Sequence, residues 1–493
     1  MSPMKPRRIP LAKTIPLVLI SMTEYLAPFV RMMAMSHRLV LNELGLASVM
    51  TATYGAFEQM TDFAISRFMF SAPREHFDDA LASAHAMSVI RGLIVGAAMT
   101  ISAPWIAGAL SIESYWPDLA CLGPIILIRS FEHLGPRVAE RDYKYGAQFK
   151  IALLANLFGL ASLGVALFIA PTHRALLAGL GGQMTMQVIA SHALADTRYR
   201  ISFDRTWLKR VFAFGLPLMI NGIGLSLSSQ GDRFIVAGLL GLSDVGIYSV
   251  AILATSVPLS MISRVTGTTL IAVLYNAGGT DSQTHDARLK VASQLLPLLA
   301  ALNAFGIMLL TNLAIPLVFG QQFHVSHAAA ALLGMAAFVR VVRGDPFTSM
   351  LINSGRTQRL AIANLSSAAA LIFEYALIYN FRNFESAMGG RLCGEIVALI
   401  VTLIVTAPYF KAAMTEYLIA FCCGLALLTA GAIAITTTTI GESWITTLPA
   451  ILAGMAFAGG IAVMSARNTI KSAFPKFFSP AVNVGSPTTA API

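Results

Sequence analysis

The sequence predicts an all-α integral membrane protein of about 14 transmembrane helices, built as two six-helix parallel-repeat lobes plus two C-terminal helices. Three observations carry this. Of 493 residues, 56% are hydrophobic and 12% charged, about half the charged share of a soluble domain. Apolar runs near 20 residues long recur from end to end, and mean hydropathy is +0.70. Runs of that length cross a bilayer as helices, because lipid offers the backbone no partner but itself. Third, the chain contains a copy of part of itself. Arg38 precedes Leu44-Gly45-Leu46-Ala47-Ser48-Val49 as Arg233 precedes Leu240-Gly241-Leu242-Ser243-Asp244-Val245. Ile65-Ser66-Arg67 returns as Ile262-Ser263-Arg264, all at offsets of 195 to 197.

Taken in order, the runs place spans at residues 14–36, 48–69, 83–110, 117–136, 151–170, 175–194, 211–230, 245–273, 291–318, 329–351, 359–380, 388–408, 414–436 and 445–465. Residues 1–200 form an N-lobe of spans one to six and 201–410 a C-lobe of spans seven to twelve. Residues 411–466 add two spans, and 467–493 form a Pro/Ser/Thr/Ala-rich cytoplasmic tail expected to be disordered. The basic start, MSPMKPRRIPLAK, leads into a run that holds Glu24 and Arg31 and lacks a small-residue cleavage site, so the first span is expected to be retained. The duplication continues further along. Gly123, Arg129 and Pro136 are answered by Gly334, Arg340 and Pro346, Ala155-Asn156-Leu157 by Ala363-Asn364-Leu365, and Gly181-Gly182 by Gly389-Gly390. An even number of spans per half makes the halves parallel repeats, which place a substrate site between them near the midplane.

The net charge of +10 does not indicate a nucleic-acid partner, because it lies in short loops between spans. With both termini cytoplasmic, the inner stretches carry about 23 Lys and Arg and the outer loops about four, the asymmetry that sets orientation. Cys121, Cys393, Cys422 and Cys423 all fall in apolar runs and read as packing residues, with no disulfide framework or metal pattern. His324-Val325-Ser326-His327 is a lone pair of histidines in an outer loop, and no nucleotide-binding or hydrolase motif is present. No metal and no cofactor is expected.

Charges inside the spans are the informative residues, since each costs about 2.5–3.5 kcal/mol at mid-membrane unless it meets a partner or a cavity. Glu24 and Arg31 share a face of span one, and Glu58 and Asp62 share one of span two. Arg129 and Glu132, Arg340 and Arg343, and Arg391 and Glu395 are each three or four residues apart on one helix. The mixed pairs suit structural ion pairing as well as a site. Arg340 and Arg343 repel unless an anion, or the neighbouring Asp345, lies between them. Arg67 and Arg264 sit toward the inner ends of their helices, where lipid headgroups also reach. Arg31, Arg129, Arg264, Arg340 and Arg343 are therefore the expected cationic lining. Glu24, Glu58 and Asp62 are the candidates for coupling transport to H⁺ or Na⁺.

Phe214-Gly215-Leu216-Pro217 at the start of span seven and Asp232 to Ser249, DRFIVAGLLGLSDVGIYS, resemble the polysaccharide flippases of the MOP superfamily, the Wzx type. The N-half diverges more, since Tyr54 lacks the Gly-Ile-Tyr context of Tyr248. The resemblance implies a MATE-like fold in the bacterial inner membrane. It also implies export of polyprenyl-pyrophosphate-linked oligosaccharide for exopolysaccharide, capsule or O-antigen synthesis, by rocking of the two lobes. Membrane lipids, and the polymerase and chain-length proteins of the same pathway, are the implied partners. A pyrophosphate suits arginine's bidentate fork. A multidrug cation exporter of the same superfamily and a membrane-embedded polysaccharide polymerase are the alternatives. The first needs carboxylates to dominate the cavity; the second needs a sizeable loop with paired acids.

Overall fold

The computed structural model describes residues 11–72, 74–142, 144–256, 282–344, 347, 351, 357–408, 410–438, 440, 443, 445–457 and 460. Arg264, Asp345, the inner part of span eight, the end of span fourteen and the expected C-terminal tail lie outside them. The described residues form helices and no strand, apart from one isolated bridge between Ile440 and Ser443.

In the N-terminal half the helices are α1 (Leu11–Ser36), α2 (Leu41–Met60), α3 (Ile65–Ser71), α4 (Phe77–Ala109), α5 (Trp116–Ala120), α6 (Leu122–Arg129), α7 (Gly135–Val138), α8 (Gly146–Ile169) and α9 (Arg174–Ala193). The C-terminal half contains α10 (Arg205–Leu239), α11 (Leu242–Ser256), α12 (Ser282–Phe319), α13 (His327–Gly344), α14 (Thr357–Leu365), α15 (Ala369–Phe381) and α16 (Phe384–Thr406). α17 (Met414–Thr437) and α18 (Ile445–Phe457) follow. Among the described residues, 8 helical segments are long and apolar enough to cross a membrane. The chain is a multi-pass membrane protein. α1, α2 and α9 have the length for a span but are outside that set. Each carries charged or amide side chains, among them Arg31, Glu58 and Gln183, which lower its hydropathy.

Two expected continuous spans are broken, and the breaks place functional groups. Span two stops at Met60 and resumes at Ile65. Ala64 takes a left-handed backbone at φ 48°, and its N–H donates to Asp62 Oδ1 at 2.8 Å. The carbonyls freed by the break are met by Arg91 of α4, which donates to Thr61 O at 2.7 Å and Glu58 O at 3.0 Å. An interrupted helix inside a membrane needs such partners. Span four breaks after Arg129, and histidines serve the gap. Leu134 N donates to His85 Nε2 at 3.1 Å and Gly135 N to His133 Nδ1 at 3.0 Å, while His192 Nε2 bonds Phe131 O at 2.9 Å. Each of these imidazoles is used as a backbone cap.

α8 packs on α9, α15 on α16, and α13 on α12 and α16. α17 lies against α12. Gly390 and Gly394 let α16 approach the backbone of α15 at Glu374 and Ala370, the small-residue contact that stands in for hydrophobic drive in lipid. The two halves meet where α2 lies along α10. Ser229 Oγ donates to Gln59 Oε1 at 2.9 Å across this seam. At one end the seam tightens to backbone on backbone: a Cβ placed on Gly45 would stand 1.8 Å from Leu242 O, and one on Gly246 2.9 Å from Leu41 O. At the same end Gln322 Nε2 donates to Ser36 O at 2.8 Å, and His37 Nε2 bonds Val318 O at 2.9 Å. At the other end Phe63 faces Phe212, and Phe68 meets Phe214 and Trp207.

Candidate functional site: paired and unpaired arginines

The two halves build corresponding contacts with exchanged charge. Position 343 follows position 132 by 211 residues, and 395 follows 187 by 208, the offsets that relate Gly123 to Gly334 and Gly181 to Gly389. In the N-half, Gln187 Nε2 donates to Glu132 Oε2 at 2.8 Å. In the C-half, Arg343 Nε meets Glu395 Oε2 at 3.1 Å. The acid has moved from the span-four position to the span-twelve position, and the helix-to-helix contact is kept.

In the N-half, Glu58 Oε2 accepts from Arg129 Nη1 at 2.6 Å and lies 3.3 Å from Arg91 Nη2. Arg129 is therefore paired across helices with Glu58 and not along its own helix with Glu132, as its spacing had suggested. Glu132 instead sits 3.6 Å from Arg137 Nη2. Helix geometry explains the change: the chain leaves α6 at Arg129, so Glu132 is no longer one turn further along the same face. Arg31, half-buried on α1, donates to Gln183 Oε1, and Gln183 Nε2 donates to Asn156 Oδ1 at 2.9 Å.

In the C-half, Arg391 Nη1 meets Asp232 Oδ2 at 2.6 Å, and Tyr248 O–H donates to the same oxygen at 2.8 Å. Arg391 thus turns to α10 and leaves Glu395 for Arg343. Glu374 lies beside this knot, 1% exposed, and neither carboxyl oxygen has a partner among the described residues. Arg340 differs from Arg31, Arg91, Arg129, Arg343 and Arg391. It has no hydrogen-bond or ion-pair partner among the described residues. Its side chain is exposed although it sits mid-chain in α13. With Thr255, Ser256 and Arg391 it lines a small void of about 20 Å³. The expected anion between Arg340 and Arg343 thus has only one unspent guanidinium to meet, since Arg343 is held by Glu395.

Of the coupling candidates, Glu58 is held between two guanidiniums, Asp62 caps the break before α3, and Glu24 is exposed with no partner among the described residues. Glu24 acts on Glu140, in the turn after α7. Burial pushes the Glu140 carboxyl up, Arg137 pulls it down, and Glu24 pushes it up again. Sequence reading missed Arg91 as a cap, Gln183 and Gln187 as partners, and the Asp232–Tyr248–Arg391 knot. The signal for the last three positions was present. Asp232 and Tyr248 lie in the repeated stretch, and 183 and 391 are equivalent through the 208-residue offset.

The family described as "Polysaccharide biosynthesis protein" matches residues 37–328. The succinoglycan biosynthesis transport protein ExoT of Rhizobium meliloti (strain 1021) is 24% identical over 261 residues, covering 52% of this chain and 47% of that protein. The chain spans about half the length of this curated relative. Among solved structures, the lipid II flippase MurJ in its inward closed conformation aligns over 92% of this chain and 100% of its own, with a TM-score of 0.62 at 12% identity. An inward-facing multidrug resistance MATE family transporter of the MOP superfamily covers 85% of this chain and 95% of its own, with a TM-score of 0.55 at 15% identity. Likeness at such identities is one of fold, and it agrees with the expected two-lobed MATE-like architecture. The family match covers more than half the chain, and on that ground the chain belongs to the polysaccharide biosynthesis protein family.

Proposed function

We propose that this protein is a flippase that carries polyprenyl-pyrophosphate-linked oligosaccharide units from the inner to the outer leaflet of the bacterial inner membrane. The product would feed exopolysaccharide, capsule or O-antigen synthesis, with a polymerase and chain-length proteins as downstream partners. The two lobes, residues 1–200 and 201–410, rock about the α2/α10 seam, and the backbone contact at Gly45 is the closed outer end. The polyprenyl tail stays in lipid while the headgroup passes between the lobes.

The observation that carries this reading is the uneven pairing of the arginines. Arg91, Arg129, Arg343 and Arg391 each meet a carboxylate. Arg31 donates to an amide, and Arg340 has no hydrogen-bond or ion-pair partner among the described residues. A cation without a counterion inside a membrane protein is costly, and an anionic cargo is what offsets it. A pyrophosphate supplies that charge and fits the planar fork. A drug cation would be repelled by the same groups. Arg31 and Arg340, one from each lobe, are thus the phosphate ligands in this reading. Arg129 and Arg343 support them, and Arg264 is the fifth member from outside the described residues. Glu24 is the first candidate for H⁺ or Na⁺ coupling, because Glu58 and Asp62 already serve local partners.

The test is outer-face appearance of the lipid-linked oligosaccharide, normalised to protein in the membrane. Arg340→Ala should lose about 10- to 100-fold, the worth of one hydrogen bond to a charged group, and still accumulate. Arg340→Lys should recover part. Normal export by a well-expressed Arg340→Ala/Arg343→Ala double variant would sink the anion site.

A further inference from the structure

A second polar region lies apart from the unpaired arginines. A cavity of about 370 Å³ opens between α2, α4, the α6–α7 segment and α10. That is the room of about 12 waters at bulk density, enough for a small organic group. Its lining is ionic yet balanced: Glu58, Asp62 and Glu132 face Arg91, Arg129 and Arg137. A cavity with three acids and three bases has no net charge to offer a phosphate or a drug cation. What it does offer is hydrogen bonds left unmade.

Glu58 spends Oε2 on two arginines, but its Oε1 is buried and has no partner among the described residues. Gln230 comes from the opposite lobe. Its Oε1 accepts from Arg233 Nη1 at 2.6 Å. An arginine only donates, so this bond fixes the amide and leaves the Gln230 NH₂ group without a partner among the described residues. Gln59 likewise gives its Oε1 to Ser229, and its NH₂ makes no bond among the described residues. Ser66 adds a hydroxyl that makes no bond among the described residues. The cavity therefore presents a buried acceptor, two amide donors and a hydroxyl around a neutral balance of charge. A buried carboxylate oxygen without a donor is costly, and a ligand hydroxyl is the group that both relieves it and carries no charge.

We propose that this cavity binds the neutral, hydroxyl-rich sugar portion of the cargo, with Glu58 Oε1 accepting from a sugar hydroxyl and the Gln59 and Gln230 amides donating to its oxygens. The inference rests on the flippase reading and adds a division of labour: unpaired arginines take the phosphates, and the charge-balanced cavity reads the sugar. Gln59 sits on α2 and Gln230 on α10, so a sugar held by both spans the seam about which the lobes move. Sugar recognition is then tied to lobe position.

The experiment uses the whole protein in lipid nanodiscs and two soluble probes. Neutral glucose- and galactose-containing disaccharides are followed by saturation-transfer NMR, and inorganic pyrophosphate by calorimetry. Gln59→Met and Gln230→Met should each weaken disaccharide binding about tenfold, the worth of one hydrogen bond, and leave pyrophosphate binding intact. That second readout also shows that the variants are folded. Arg340→Ala should do the reverse. The sugar assignment is overturned if no disaccharide binds the unmodified protein, if the two glutamine variants bind it normally, or if both probes fall together. Loss of pyrophosphate binding from the unmodified protein, with disaccharide binding kept, would instead overturn the arginine site and leave the cavity assignment standing.

Discussion

Removing Asp232 tests the packing argument at its most demanding point. Its carboxylate and the Arg391 guanidinium are 2.6 Å apart with side-chain exposures of 3% and 11%. The Tyr248 hydroxyl donates to the same oxygen at 2.8 Å and is itself fully buried. Asp232→Leu takes away the counterion and strands two donors. Breaking a buried pair from one side costs about 3–5 kcal/mol, and the stranded Tyr248 hydroxyl adds about 1 kcal/mol. The expected loss is therefore about 4–6 kcal/mol. Glu374 offers Arg391 a fallback acceptor, so the full figure is expected only in a Glu374→Gln background. The double variant Asp232→Leu/Arg391→Met should recover most of the loss, since apolar replacement of a buried pair is often neutral. The assay is reversible unfolding in mixed micelles followed by tryptophan fluorescence, analysed as a double-mutant cycle. If Asp232→Leu costs under about 1 kcal/mol, or the two substitutions add without coupling, the knot is not what holds α10 to α16.

Four further outcomes follow from the same geometry. Glu140, whose carboxyl is raised by burial and by Glu24 against the pull of Arg137, binds its proton more tightly folded than unfolded. Its contribution to stability is present below the unfolded value and lost as pH rises through the folded one. Glu140→Gln should therefore raise the melting temperature at pH 8 and change nothing at pH 4, as read in a thermal scan at both values. Gly45→Ala cannot fit 1.8 Å from Leu242 O. It should force the α2/α11 crossing apart, and a cysteine reporter at Ser243 should gain reactivity toward a polar maleimide. Fusions of a reporter after Lys150 and Arg210 should read cytoplasm, and fusions within 111–118 and 320–327 should read the outer side. Either pair inverted would overturn the orientation. Glu24→Gln should make export insensitive to the imposed H⁺ or Na⁺ gradient, whereas gradient-dependent export by that variant would remove Glu24 from coupling.

The fold was legible because its two signals, apolar run length and internal repetition, survive without an alignment. The breaks in spans two and four were not. Thr61 to Ala64 and Ser130 to Leu134 contain no proline, and what permits each break is a remote cap, Arg91 in one case and His85 in the other. Pairing along a helix was visible as spacing, but partner choice was not. Arg129 turns to Glu58 and Arg391 to Asp232 because bringing helices together offered shorter contacts than a neighbour on the same helix. The residues expected to line the site were read by the rarity of charge in lipid. That argument cannot separate an arginine paired with a carboxylate from one that is not, and the tertiary structure makes that distinction for Arg31, which meets an amide, and Arg340.

The crossing of Gly45 with Leu242 has an electrical consequence. Side chains flip in picoseconds to nanoseconds, and a gate made of them flickers on that scale, admitting water as it does. Here the contact is main chain on main chain, with nothing that can rotate out of the way. It opens only when an entire helix travels, a motion of microseconds to milliseconds. Every charge crossing a membrane dissipates about 2.3 kcal/mol per 100 mV. In the proposed flippase, a flickering seal would let ions leak across the membrane between cargoes. On that reading, the close backbone approaches at Gly45 and Gly246 would make the resting protein an insulator.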